Sequence, residues 1–300
     1  MITSALKKHY DPTFTASDLY KQSLPDIQNS SAATIEGANV PIQQVGISNF
    51  RLPLTYPGKN GKEVMLETSV DGYVSLDEDK KGINMSRIMR SFYKFKDEQF
   101  TWDVLEYILK MYREDLDSKA SYLRLGFSWP MLLKSLRSEL QGYQYYDAAL
   151  EGQMNGKGEM RRFMHLDFTY SSACPCSYEL SEHARETRGI VSIPHSQRSV
   201  AHITAEIDDN AMHIEDVVDL CREALVTETQ VMVKREDEQA FAEMNGAYQK
   251  FVEDAARLMF DKLNGEPGIR DFVVRCVHME SLHSHDAVSR INKGLAGGLQ

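Results

Sequence analysis

Two cysteines and a histidine in the second half of the chain are the residues best suited to chemistry. Cys174 and Cys176 flank Pro175, and His195 follows about twenty residues later. Thiolate and imidazole groups are ligands that Zn²⁺ and similar divalent ions accept in proteins. A C-x-C pair with a distant histidine is not one of the strong zinc spacings, so both cysteines can equally be small buried side chains at a strand end. The pattern predicts half of a metal site, and the remaining ligands must come from elsewhere.

The bulk composition limits the classes of partner. The 300 residues carry a formal charge of −10, which argues against a general surface for nucleic acid or for anionic membranes. A nucleotide substrate would therefore need a local basic pocket. No apolar stretch approaches the length of a membrane span, and residues 1–19 lack the apolar core of a signal peptide, so we expect a cytoplasmic protein. Four cysteines in a chain of this size do not indicate a disulfide framework, and we expect Cys221 and Cys276 to lie in the core.

Hydrophobic periodicity divides the chain into two similar halves. After a polar arm over residues 1–40, two strands are predicted near residues 45–54 and 63–76, two helices over 86–93 and about 104–112, and two strands near 120–129 and 139–144. The second half repeats this order, with strands near 163–170 and 199–207, helices around 214–221 and 251–259, and strands near 269–277 and 287–291. Glycines within residues 151–158 mark the predicted junction.

Several separate segments of the chain together resemble one family, the type IB GTP cyclohydrolases of folate synthesis. They are residues 25–29 (PDIQN), 45–47 (VGI), 81–87 (KGINMSR), 171–177 (SSACPCS), 194–199 (PHSQRS), 234–238 (KREDE), 250–254 (KFVED) and 280–287 (ESLHSHDA). The resemblance runs from about residue 25 to about residue 290, in order along the chain.

The resemblance implies an α+β fold built from tandem T-fold modules. Each module has the order ββααββ, with an antiparallel sheet and helices on one face, and the modules are expected over residues 41–150 and 151–300. In this fold the sheets assemble into a barrel and the active sites lie between subunits. A homo-oligomer, expected to be a homotetramer, is therefore implied.

The reaction implied by the resemblance is the conversion of GTP and water to 7,8-dihydroneopterin triphosphate and formate. Carried over position by position, the family pattern assigns Cys174, His195 and Glu228 as ligands of one divalent metal per subunit, which can be Zn²⁺, Mn²⁺ or Fe²⁺. Glu228 lies in a stretch that departs from the family pattern, and its alternative is a solvated charge at a helix end or in a loop.

Further residues are implied as proton carriers. Cys176 matches the thiol that is most often catalytically important in the family. It can be a hydrogen-bond donor close to the metal, an alternative ligand or a proton carrier. We expect His283 to act as general acid and base, with Glu280 orienting it or contacting substrate. His285 is expected to be structural.

The substrate contacts implied by the family divide into one carboxylate and several cations. Glu243 is expected to accept hydrogen bonds from the 2-amino and ring N–H groups of guanine, although an exposed helical glutamate is the plain alternative. The candidates for binding the triphosphate are Arg198, Lys234, Arg235 and, from a neighbouring subunit, Arg87.

The chain also departs from the family pattern. Asn84 stands where the family usually has histidine, so a protonic role at that position is in doubt, and Glu236 stands where proline is common.

Two other functions compete with this interpretation. One is another T-fold activity, such as a nitrile reductase, in which a metal-free thiolate attacks substrate and NADPH donates hydride. The other is a purine- or pterin-binding module without catalysis. The run 194–198 argues against the first, and retention of Cys174, His195 and residues 280–285 argues against the second.

Overall fold

A computed structural model describes residues 9–25, 40–59, 61–208 and 212–294 of the chain. The strands are β1 (Ile42–Pro57), β2 (Glu63–Leu76), β3 (Ser121–Lys134), β4 (Gln141–Met154), β5 (Met160–Ala173), β6 (Ser196–Ile207), β7 (Ile269–His278) and β8 (Ala287–Asn292). The helices are α1 (Asp18–Gln22), α2 (Met85–Tyr93), α3 (Trp102–Asp115), α4 (Pro175–Arg188), α5 (Ile214–Leu225), α6 (Arg235–Ala247) and α7 (Val252–Asn264).

The eight strands form one antiparallel sheet in which each strand pairs with the next along the chain. Because side chains alternate across a strand, residues paired in register share a face of the sheet. One such row is buried throughout and consists of Val70, Leu125, Leu150, Met164, Ala205 and Phe272. The neighbouring row on the opposite face is mostly charged and consists of Asp71, Arg124, Glu151, Phe163, Glu206 and Asp271.

The helices cover the apolar face. α3 packs against β3 and β4, α5 against β5, and α7 against β7 and β8, and one hydrophobic core runs through both halves. α3 shows why these segments fold as they do: Thr101 caps its first turn by accepting from the backbone N–H of Val104, and six of its side chains are buried toward the sheet. Hydrophobic burial therefore fixes the sheet and these three helices.

The first half has the predicted order of two strands, two helices and two strands, but the second half does not. α4 separates β5 from β6, and α6 lies between α5 and α7, so the second half has two helices that the periodicity does not indicate. The reason is physical, since Ser181 is the one buried residue described in α4, and Asp237 and Ala240 are those in α6. Helices that bury so little leave almost no apolar repeat in the sequence.

The predicted junction between the halves is a tight turn. The side-chain oxygen of Asn155 accepts hydrogen bonds from the backbone N–H groups of Lys157 and Glu159, and the turn joins two paired strands, β4 and β5. The sheet therefore continues across the predicted boundary, and the strand predicted over 139–144 extends to Met154.

The arm predicted over residues 1–40 lies largely outside the described residues. Its described part contains α1, a short helix capped by Ser17 with no buried residue. Within the described ranges, none of the helices combines the length and apolar composition that crossing a lipid bilayer requires.

Candidate functional site

Cys174 stands at the point where β5 ends and α4 begins. It occupies the N-cap position of α4, and Pro175 follows at the first helical position, where a missing N–H does no harm. The backbone N–H of Cys174 donates to the carbonyl of His195 at 3.2 Å, and the N–H of His195 donates to Oγ of Ser177 at 3.1 Å. These two hydrogen bonds hold the ends of the segment 174–195 together, so the backbones of Cys174 and His195 lie side by side.

The side chain of His195 is held by oxygen atoms on one side of its ring. Its Nδ1 lies 3.1 Å from Oε1 of Gln197 and 3.3 Å from Oε2 of Glu280, and both His195 and Glu280 are largely buried. Because both neighbours are acceptors, they favour the tautomer that carries the proton on Nδ1. The lone pair of Nε2 is then available, which is how a metal-binding histidine is usually oriented.

The side chain of Gln197 is itself held by a chain of hydrogen bonds. Its Nε2 donates to Oγ of Ser172 at 2.8 Å, and Ser172 shares a hydrogen bond of 2.8 Å with Ser199. Ser172 and Ser199 are buried. A chain of buried polar groups on β5 and β6 therefore sets the orientation of the His195 ring.

Glu228 is not a solvated charge, because it is 4% exposed. Its carboxylate accepts a hydrogen bond from the Tyr146 hydroxyl and another, of 2.7 Å, from Nε of Arg222. Burial opposes the charge of Arg222, but the hydrogen bond and negative charge of Glu228 outweigh it and raise the pKa of the guanidinium. Burial, followed by the charge of Glu228, likewise raises the pKa of Tyr146. Glu228 thus forms an ion pair with Arg222.

The structure does not bring Glu228 together with Cys174 and His195. Its backbone forms a bridge to Tyr170, four residues before Cys174, which corresponds to about 13 Å along a strand. Across the described ranges, no three side chains of His, Cys, Asp or Glu are grouped so that they could hold a metal ion. The backbones of Cys174 and His195 lie together, and the assignment of Cys174, His195 and Glu228 as metal ligands stays a prediction.

The loop between β7 and β8 carries the other predicted catalytic residues. His283 and His285 are exposed, and their rings stack with centroids 4.8 Å apart. The carboxylate of Glu280 lies beside His195, and its expected role in orienting His283 or contacting substrate stays a prediction. Cys176 is exposed in the first turn of α4.

The five predicted substrate residues are all exposed. Glu243, on α6, is half exposed and forms an ion pair with Arg137 from the link between β3 and β4. Lys234 and Arg235 are exposed at the start of α6, and Arg198 is exposed on β6 opposite Ser171.

Arg87 is remote from Cys174. It lies on α2, which packs against α3 and β1, and its guanidinium donates to the carbonyl of Asp115. β1 and β5 are four strand spacings apart, or about 19 Å. Within one chain, Arg87 is therefore separated from the pair Cys174 and His195.

Sequence reasoning missed a buried polar cluster next to the end of β5. Lys250 is 4% exposed, and its ammonium donates to Oγ1 of Thr227 at 3.1 Å and to the carbonyl of Tyr248 at 2.6 Å. The hydroxyl of Tyr170 shares a 2.9 Å hydrogen bond with Nε2 of His278. Burial lowers the pKa of Lys250 to about 8, and burial together with the charge of Lys250 lowers the pKa of His278 to about 4.

This cluster ties the residues around Glu228 to the strand that ends at Cys174. Thr227 donates to the carbonyl of Ser171, and the backbone N–H of Lys250 donates to the carbonyl of Ala173 at 3.3 Å. The run 250–254 matches the family pattern, but the run alone does not indicate a role for Lys250.

Comparison of the sequence with known proteins identifies its family. The family model described as "Type I GTP cyclohydrolase folE2" matches residues 24–289. The protein named GTP cyclohydrolase FolE2 from Jannaschia sp. (strain CCS1) is 56% identical over 289 residues, which cover 96% of this chain and 80% of that protein. Its namesake from Paracoccus denitrificans (strain Pd 1222) is 55% identical over 290 residues, covering 97% and 90%.

Solved structures resemble the fold at low sequence identity. Uricase from Arthrobacter globiformis superposes with a TM-score of 0.51 at 9% identity, covering 86% of this chain and 95% of that one. A hyper-thermostable AgUricase variant gives a TM-score of 0.53 at 10% identity, covering 89% and 96%. These likenesses concern the fold alone, whereas the family match and the identities above are decisive for kinship: the chain belongs to the type I GTP cyclohydrolase FolE2 family.

Proposed function

We propose that this chain is a metal-dependent GTP cyclohydrolase that converts GTP and water to 7,8-dihydroneopterin triphosphate and formate, the first step of tetrahydrofolate biosynthesis. The observation that carries the proposal is the family match over residues 24–289, which includes Cys174 and His195, whose backbones are joined by a hydrogen bond. The named relatives are GTP cyclohydrolases at about 55% identity over almost the whole chain.

The donor set at the end of β5 suits a divalent ion. A thiol and an imidazole with its Nδ1 held by Glu280 and Gln197 are the soft and borderline donors that Zn²⁺, Mn²⁺ or Fe²⁺ can share. Cys174 and His195 would hold the ion, and Glu228 would join them only after its carboxylate leaves Arg222 and Tyr146. When bound, such an ion supplies Lewis-acid activation of water for attack on C8 of guanine.

The chain's own residues then orient the substrate and move protons. Glu243 would accept hydrogen bonds from the 2-amino and ring N–H groups of guanine, in exchange for its present ion pair with Arg137. Arg198, Lys234 and Arg235 are exposed cations available to the triphosphate. Cys176, two residues after Cys174, and His283, three residues after Glu280, are exposed, and either would carry a proton to or from the substrate.

We also propose the assembly that the family resemblance implies. Two T-fold modules per chain would close into a barrel in a homotetramer, and residues remote within one protomer, such as Arg87, would reach the site from a neighbour. The separation of Arg87 from Cys174 within one protomer supports a site completed between subunits. A cytoplasmic location is part of the same proposal.

Turnover of GTP tests the function. The protein is stripped with a chelator, divided, and supplied with Zn²⁺, Mn²⁺, Fe²⁺ or buffer, and formate and oxidised-pterin fluorescence are followed. We expect both products from GTP only in metal-supplied samples. Absence of both products under every condition would contradict the proposal, and NADPH consumption with a nitrile substrate would favour the reductase alternative instead.

The role of Glu243 is tested with ITP, which lacks the 2-amino group of GTP. The wild type should prefer GTP over ITP, and Glu243→Gln should reduce that preference, because the charged acceptor for the amino group is lost. Glu238→Gln, an exposed change on the same helix, is the matched control and should leave the preference unaltered. An unchanged preference in Glu243→Gln would remove this residue from base recognition.

A further inference from the structure

A cavity of about 370 Å³ lies beside α2 in the first half of the chain. Three of its lining residues are cations, namely Arg87, Arg90 and Lys94, and the others are Ser91 and Asp115. The cavity thus has three positive charges against one carboxylate, although the whole chain carries a formal charge of −10. A local excess of positive charge favours an anionic occupant.

The three cations of the cavity have no carboxylate partner. Among the described residues, no carboxylate oxygen lies within 4.0 Å of their nitrogen atoms, and this includes the carboxylate of Asp115. Nearby lysines, by contrast, form ion pairs, since Lys80 pairs with Asp117 and Lys96 pairs with Asp97. The positive charge of the cavity is therefore not neutralised by the part of the chain that the structure describes.

Two of the cations are oriented by neutral acceptors. The guanidinium of Arg87 donates to the carbonyl of Asp115, and that of Arg90 donates to the carbonyl of Ser86 at 3.2 Å and to its hydroxyl at 3.3 Å. A guanidinium has five N–H donors, so both side chains keep donors for a further ligand. The planar guanidinium suits phosphate oxygens, which it can bind in pairs.

The charges of α2 are unfavourable for an isolated helix. Its first turn contains no acidic residue and carries Arg87, whose charge is disfavoured at the positive end of the helix dipole. Arg87 and Arg90 are three residues apart, and Arg90 and Lys94 are four apart, which are spacings at which like charges repel each other. Departures from local rules of this kind are expected at functional sites, and a bound anion would remove the repulsion.

The cavity is separate from Cys174 and His195 within one chain. α2 packs against α3 and β1, and β1 and β5 are four strand spacings apart, or about 19 Å. An anion in the cavity therefore comes either from solution or from a molecule bound by a neighbouring subunit. In the second case it is the triphosphate of the GTP proposed as substrate.

We propose that the cavity beside α2 binds a polyphosphate anion, with Arg87, Arg90 and Lys94 contacting its phosphate oxygens. The volume of about 370 Å³ lies within the usual range of ligand sites, about 300–1,000 Å³. Inorganic tripolyphosphate and the triphosphate of GTP present the same chemistry. Binding of the first is independent of the proposed function, whereas a contact with GTP from a neighbouring subunit rests on it.

Inorganic tripolyphosphate is the probe for the test, and calorimetry at low ionic strength measures its affinity. The wild type should bind it saturably, and added salt should weaken binding because the contacts join exposed charges. Cys174→Ala, which removes a predicted metal ligand, should bind the probe equally well. Absence of saturable binding to the wild type would overturn the proposal, and so would loss of binding in Cys174→Ala, because the probe would then be bound at the metal.

Two variants locate the binding. Arg90→Gln and Lys94→Gln each remove one cation, and each should weaken tripolyphosphate binding by about fivefold, the upper end for an exposed ion pair. Lys96→Gln, the matched control, removes the same charge outside the cavity and should bind as the wild type does. All three side chains are exposed, so the melting temperatures without ligand should match that of the wild type. Unchanged binding in both Arg90→Gln and Lys94→Gln, or equal weakening in Lys96→Gln, would overturn the assignment.

The kinetics of GTP turnover separate the two sources of the anion. If GTP from a neighbouring subunit reaches the cavity, Arg90→Gln and Lys94→Gln should raise KM for GTP by the same factor at unchanged kcat, and tripolyphosphate should compete with GTP. If the anion is free, both variants should keep the KM of the wild type while binding tripolyphosphate more weakly. A chain that is inert toward GTP but binds tripolyphosphate as described would contradict the proposed function and leave this inference standing.

Discussion

The first strand pair of the first half and the first strand pair of the second half are connected in very different ways. β1 and β2 are joined by a short turn, in which the N–H of Gly58 donates to the carbonyl of Lys62 at 2.8 Å. β5 and β6, the first pair of the second half, are instead joined through α4, with Cys174 at its start and His195 after its end. The connection between the first two strands is thus a short turn in the first half, whereas in the second half it contains the candidate site.

The helices differ in the same way. α3 buries six side chains against the sheet, whereas α4 buries Ser181 and α6 buries Asp237 and Ala240. Among α2 to α7, the two helices that bury the fewest residues are α4 and α6, and they carry Cys176, Arg235 and Glu243. The helices that pack the core thus differ from the helices that carry these candidate site residues. Substitutions in the first should lower stability, and substitutions in the second should lower activity.

The largest effect on stability is expected in the sheet. Phe168 is fully buried and stacks on Tyr146 with ring centroids 6.2 Å apart. Phe168→Ala should lower the free energy of unfolding by about 3–5 kcal/mol, through lost transfer energy and a residual cavity. Chemical denaturation measures it, and a loss below about 1 kcal/mol would contradict the packing described here.

The buried cluster should give stability a dependence on pH. The folded state holds the pKa of Lys250 at about 8, below its ordinary value of 10.5, so between these two values the unfolded chain binds more protons than the folded one. Stability from this group therefore rises as pH increases from about 8 to about 10.5, by about 3 kcal/mol in total.

Subtraction of a variant isolates this contribution. The difference in unfolding free energy between wild type and Lys250→Met should change across that pH range, with the wild type gaining at high pH. Arg257→Met, on the exposed side of α7, is a control that should show no such change. A flat difference for Lys250→Met would show that the ammonium is not strained by burial.

A smaller effect, on metal binding, is expected from Glu280. Its carboxylate lies 3.3 Å from Nδ1 of His195, so Glu280→Gln should weaken metal affinity by about 10–100-fold through loss of the charged partner that orients the ring. Competition with a chromophoric chelator measures the affinity. Asp286→Asn, an exposed change in the same loop, is the control, and equal losses in both variants would contradict a specific role for Glu280.

The smallest effect is expected on the outer face of α4. Leu180 is 69% exposed, so Leu180→Ser should change the free energy of unfolding by less than about 0.5 kcal/mol. A large loss of stability in the same denaturation assay would show that this face is covered by a partner subunit.

The sequence predicts the strands and helices that bury many apolar side chains, and it does not reveal the helices that bury few. Each strand and the helices α2, α3, α5 and α7 overlap their predicted segments, although β4 extends ten residues beyond the predicted 139–144. α4 and α6 left other traces. Gly189 ends α4 in the left-handed conformation at φ 64°, and Asp237 caps α6 by accepting from the N–H of Lys234.

The site could be predicted in part for the same kind of reason. Cys174 and His195 were recognisable because matching runs surround them. The contact of His195 with Glu280 joins residues far apart in sequence, and it depends on the pairing of Ser199 with His278 across β6 and β7. The partnership of Glu228 with Arg222 and Tyr146 likewise depends on the third dimension, so spacing alone could not reveal it.

The metal content and GTP turnover of Cys174→Ala, measured beside Cys276→Ala, test the central claim most directly. Both cysteines are free thiols of the second half, but Cys276 is buried in β7 among core residues. The account predicts about one metal ion per chain in the wild type and in Cys276→Ala, and loss of both metal and turnover in Cys174→Ala. Full metal content and turnover in Cys174→Ala would contradict it.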